Sequence, residues 1–109
     1  MESKEFAQAV REERDSLLSS FANPSGGTVV AAHLLAAGLS PSQRKEVLAA
    51  MDAALTDAFY TLLLALDGSA SLGGKQQHFI VSDDSGDVIA NGDGRLEAAA
   101  WEAFHENSS

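Results

Sequence analysis

"SPSQRKEVLAAMDAALTDAFYTLLLAL", residues 40–66, decides the fold. Ser40 stands where a helix cap belongs, Pro41 at the first helical position, and Gln43 where it can return the hydrogen bond of a capping box. Leu48, Met51, Leu55, Phe59, Leu62 and Leu66 then follow at spacings of three and four, the repeat of one helical face. The spacing predicts a helix from Pro41 to about Ala65, about 37 Å long. That is long for 109 residues, so this helix is expected to be the spine on which the rest packs. Its end, "FYTLLLAL", is apolar on every side and is expected to lie deepest.

Upstream, Ser3 is expected to cap a first helix running to about Phe21, with an apolar stripe of Phe6, Val10, Leu17 and Phe21. Glu13 and Arg14 interrupt that stripe. Either their stems snorkel, or the helix packs only at its two ends. "NPSGG" breaks the chain, and "TVVAAHLLAAG", residues 28–38, is apolar nearly all round, as a short buried helix would be. Gly38 suits its C-terminal cap. A buried strand over residues 28–31 is the alternative, against which the alanines argue.

Downstream of Gly68 the period changes to two. "KQQHFIVSD" reads as a strand, "DDSG" as a turn and "DVIA" as the returning strand. "NGDG" makes a second turn, after which "RLEAAAWEAFHE" is helical. The fold class expected is α+β: three to four helices around one long central helix, with a C-terminal β-hairpin packed on it. Two strands alone are marginal in water, so the hairpin needs the helix beneath it.

The composition suits a single small globular domain, residues 1–109, with 45% hydrophobic and 21% charged residues. There is no cysteine, which excludes disulfides, zinc–thiolate sites and thiol chemistry and fits a reducing cytoplasm. Sixteen acidic against seven basic side chains give a net charge of −9. Such a surface repels nucleic acid and anionic lipid and attracts a basic partner, though solubility alone would also explain it. The N-terminus is charged from its second residue, unlike a signal peptide. "FYTLLLAL" is far shorter than the ~20 residues of a membrane span, so no membrane association is expected.

The glycine-rich stretch "DGSASLGGK" is not a phosphate loop. Counted from Gly68, Gly74 falls where the lysine belongs, and the segment leaves a helix to enter a strand. The acidic stretch is not a calcium loop either. A start at Asp87 puts Ile89 and Ala98 on ligand positions, and a start at Asp83 puts Val88 where glycine is needed. His33, His78 and His105 lie in three different elements without metal-ligand spacing, so neither metal nor cofactor is expected. "VVAAHLLAAGLSPSQRKEVLAAM" imitates a helix-turn-helix, but Leu34 stands at its small-residue position and Arg44 at a core position.

"FYTLLLALDGSASLGGKQQHFIVSDDSGDVI", residues 59–89, resembles segments of small, acidic, cysteine-free bacterial proteins of largely unassigned function, immunity proteins of toxin systems among them. In that pattern a helix ends in "LDG" and a hairpin follows. The resemblance implies a protein that acts by binding another protein, and it carries no site residues.

The leading expectation is therefore an acidic protein-binding module, immunity-like, working by association rather than catalysis. Its binding surface would join Asp83, Asp84, Asp87 and Asp93 of the turns to Glu97, Trp101 and Glu102 of the last helix. Trp101, the only tryptophan, sits at the edge of the face made by Leu96, Ala100, Ala103 and Phe104. There it is either a core-rim aromatic or an interface anchor. The alternative is a small-molecule-binding regulator or small enzyme with a pocket between helices and hairpin, drawing on His33, Asp67, Ser69 and His78. A two-stranded ribbon also leaves edges that invite a second copy, so homodimerisation through that edge or the first helix is allowed.

Overall fold

The computed structural model describes residues 1–106. It is α+β and mostly helical: α1 (Ser3–Ala22), α2 (Val29–Ala36), α3 (Pro41–Leu66), β1 (Val81–Ser82), β2 (Val88–Ala90) and α4 (Arg95–Trp101), with a π-helical extension over Glu102–Glu106. The strands pair antiparallel, Val81 against Ala90 and Ser82 against Val88, with a bulge between.

The decisive stretch behaves as its capping chemistry dictates. Ser40 Oγ accepts from the Gln43 amide at 3.2 Å, and the Gln43 side chain accepts from the Ser40 amide at 2.9 Å. α3 then runs unbroken for 26 residues. Arg44 donates to the Ala22 carbonyl, tying the start of α3 to the end of α1.

The first helix starts differently from expectation. Glu2 occupies the cap position without a side-chain hydrogen bond, so Ser3 is not the cap. Ser3 Oγ instead donates to the Ile89 carbonyl at 2.6 Å, fastening α1 to β2. Arg14 is neither snorkelled nor exposed. It is buried against α3, paired with Asp15 and Asp52, while Glu13 faces solvent. Burial opposes the charge on Asp15, yet hydrogen bonds from Arg14 and Arg11 hold its carboxyl below the usual range.

α2 is a helix rather than a strand, capped by Thr28, whose hydroxyl accepts from the Ala31 amide at 3.0 Å. Gly38 follows it with φ +61, the left-handed geometry of a helix end. It is not a buried helix. Only Ala31 is fully buried, Val30 and Leu34 are half-buried, and Val29 and Leu35 are 74% and 68% exposed.

The core lies at one end of the molecule. Ala7 of α1, Leu63 of α3, Ile89 and Ala90 of β2, and Leu96, Ala99, Ala100, Ala103 and Phe104 form one cluster, flanked by Phe6, Val10, Phe59, Tyr60, Leu66 and Val81. α3 is the longest element, and α1 touches the most others: α2, α3, β2, α4 and the π-helical extension. β2 packs on α1 and α4.

The strand expected over residues 75–83 shrinks to Val81–Ser82. Extending the Val81–Ala90 register would set residues 78–80 against residues 91–93. Those belong to the "NGDG" turn, which is pulled away to start α4, so the ladder runs out of partners.

α3 also corrects the expectation that nothing in the chain is long and apolar enough to cross a membrane. An 18-residue window of it averages a hydropathy of 1.5, and only 6% of that window is buried.

Candidate protein-binding face

α4 and its extension are two-faced. Leu96, Ala99, Ala100, Ala103 and Phe104, at helical spacing, fill the core, so Glu97, Ala98, Trp101, Glu102 and Glu106 must lie on the other side. Trp101 is 55% exposed. It leans on the His105 ring with centroids 4.7 Å apart, and His105 meets Tyr60 edge-on at 4.5 Å. The indole is therefore supported from behind while its body faces solvent.

Around it lies a cleft of about 550 Å³ lined by Tyr60, Gly94, Glu97, Ala98, Trp101, Glu102 and Glu106. Three carboxylates and no cation line this cleft. Glu97 accepts from Ser69 Oγ at 2.6 Å, and Glu102 lies 3.5 Å from Lys4 Nζ. Burial raises the Tyr60 hydroxyl pKa, and the charge of Glu97 adds to the effect. An aromatic platform ringed by carboxylates suits a cationic, partly apolar visitor.

A second groove, lined by Glu2, Ser3, Lys4, Asp87, Val88, Arg95, Ala98, Ala99 and Glu102, shares Ala98 and Glu102 with the first. Asp87 of the hairpin thereby joins one surface with Trp101. Asp83 and Asp93 have local duties, and Asp87 shares one of them. Asp83 Oδ1 accepts from the Ser85 and Asp87 amides, both at 3.0 Å, and shapes the turn. Asp83 and Asp87 also hold the Met1 ammonium, at 2.5 and 2.7 Å. Hydrogen bonds from that ammonium and from Ser85 keep the Asp83 carboxyl well below the usual range, while the two carboxylates lift the Met1 amine to about 10. Asp93 accepts from the Arg95 amide at 3.1 Å and starts α4. Asp84 is exposed beside the turn.

Of the alternative set, Asp67, Ser69 and His78 meet around Gly92 and Glu97, and His33 lies on another element. His33 is exposed on α2, which packs on α1. Asp67 is 3% exposed and fully used: Oδ1 accepts from the Gly92 amide at 3.0 Å and Oδ2 from the Glu97 amide at 2.9 Å. It is a remote cap for the first turn of α4. Ser69 serves Glu97, and His78 lies over Gly92 with Nε2 3.3 Å from Asn91 Oδ1. Neither of the two grooves above is lined by any of the four.

Glu106 and Tyr60 also line the cleft, and the sequence marks neither out. Glu106 lies four residues beyond Glu102, a spacing that signals a shared face, but the π-helical winding blurs it. Nothing in the sequence pairs Tyr60 with Trp101, since α3 and α4 meet only through the tertiary fold. No family model, curated protein or solved structure matches this chain.

Proposed function

We propose that the chain is an acidic protein-binding module that works by association, with its contact surface centred on Trp101. The observation that carries this reading is the tryptophan itself, 55% exposed in a cleft with Glu97, Glu102 and Glu106. A tryptophan that closed the core would bury more of its indole than this one does. Large aromatics at a surface supply the desolvated contact that holds a complex, whereas charge mainly speeds encounter. The partner that fits is a basic protein presenting Lys or Arg beside apolar side chains. In its specific form, the one implied by the resemblance of residues 59–89, that partner is a toxin and this chain neutralises it in the cytoplasm.

Trp101 is the sole tryptophan, so its fluorescence reports directly on the site. A basic partner recovered by pull-down is expected to shift Trp101 emission on binding and to associate more slowly as salt rises. Trp101→Ala is expected to speed dissociation and cost at least about 2 kcal/mol of binding, with stability changed by less than about 1 kcal/mol. Asp83→Asn/Asp84→Asn is expected to slow association. Unaltered binding by Trp101→Ala, or its unfolding, would remove the basis for the proposal. Genes flanking this one supply the check on the toxin reading.

A further inference from the structure

α3 leaves a continuous face uncovered. Ala50, Ala54, Ala58 and Leu62 are exposed at four-residue intervals, with Ala53 and Thr61 beside them. A soluble core helix of this hydropathy would be mostly buried, yet 6% of its most apolar window is. The whole molecule shows the same deficit. Its radius of gyration is 16.3 Å, against about 13 Å for a compact chain of this length. Its accessible surface is 6829 Å², about 1,000 Å² more than a folded monomer of this mass exposes. A stable dimer covers about 800 Å² on each partner, so the surplus is the size of one interface.

We infer that this face of α3 is the contact with a second copy of the chain, the two helices crossing antiparallel near Ala54. Charge favours that occupant and that place. Residues 23–66 carry two basic and three acidic side chains, whereas residues 67–106 carry two basic and eight acidic. Copies of so acidic a protein repel each other through the hairpin and α4, and meet at least cost through α3. A crossing at position 54 sets position 50 against 58 and Glu46 against position 62, so no carboxylate faces another. Alanines at the crossing let the two backbones approach closely. Lipid is the poorer occupant. Asp52 and Asp57 sit in the middle of α3, and Phe59, Tyr60, Leu63 and Leu66 towards its C-terminal end already pack into the core with α1 and α4. The two-residue β1 offers little edge for strand pairing.

The test uses the full chain in sedimentation equilibrium and an introduced thiol. The expected mass is twice 11.4 kDa at micromolar concentrations. Ala54→Glu is expected to weaken the dimer at least about 30-fold with helicity unchanged. Because the chain has no cysteine, Ala54→Cys gives an unambiguous reporter. Mild oxidation should link two copies through position 54, while Ala9→Cys, on the exposed side of α1, should stay unlinked. A native chain that is monomeric at 100 µM (about a hundredfold above a micromolar dissociation constant) overturns the proposal. So does equal crosslinking of both thiol variants, or flotation of the native chain with phosphatidylcholine vesicles that Ala54→Glu abolishes. None of these outcomes bears on the Trp101 face, which is tested separately.

Discussion

Asp67 shows how one side chain can decide whether an element forms. It ends α3, and its two oxygens hold the amides of Gly92 and Glu97, twenty-five and thirty residues away. Without it, the "NGDG" turn and the first turn of α4 lose acceptors in a part-buried place, where an unmet amide carries a cost. Asp67→Ala is expected to lower stability by about 3 kcal/mol, read as a shifted denaturant midpoint, and Asp67→Asn by roughly half that. Gly92 is constrained from the other side. Its φ is +70, and a Cβ there would lie 3.4 Å from the His78 ring. Gly92→Ala is expected to cost about 1–2 kcal/mol in the same measurement. Asp67 was visible in the sequence as a polar residue of interest. Its buried role was not, because the partners lie beyond a hairpin whose path no local pattern fixes.

Among the elements, those that cap themselves were the most legible. α3 announces its start in five residues, and Ser40→Ala is expected to destabilise the fold by about 1 kcal/mol with the helix otherwise intact. α4 was legible because its apolar residues fall on one face, which left Trp101 at the rim. Elements that need a partner are not legible in the same way. α2 has the composition of a buried helix, but hydropathy records what a helix would bury and not whether the chain supplies a cover. Residues 76–80 have the alternation of a strand, but their would-be neighbours are drawn off into α4. Their amides are expected to exchange with solvent faster than those of Ile89 and Ala90, which hydrogen-exchange measurements would resolve. The Trp101 cleft was half legible: the helix supplied Glu97, Trp101 and Glu102, while Tyr60 came from another element.

For the molecule as a whole, the first helix and its leading residue are held by the hairpin and α4. Met1 sits on the hairpin turn, and α1 packs against both α4 and α3. The Met1 amine is raised from 8.0 to about 10, so its tie to the turn is complete below pH 8.0 and lost as pH rises through about 10. The Asp83 carboxyl is depressed from 3.8, so its share is present above that pH and lost in acid. Amide resonances of residues 83–87 are expected to hold steady between those limits and to move above about pH 10. An acetylated N-terminus should abolish that alkaline transition.

The pairing of the first helix with the last also governs how the protein is made. α1 leaves the ribosome long before Leu96, Ala100 and Phe104, the residues that cover its apolar side, have been joined to the chain. At roughly 5–20 residues per second, Phe6 and Val10 wait several seconds without their cover. A chain cut before residue 98 would lack Ala99, Ala100, Ala103 and Phe104, four of the nine residues of the core cluster. α1 and α3 can pack on each other earlier, so the part of the core that waits on synthesis is the part α4 supplies.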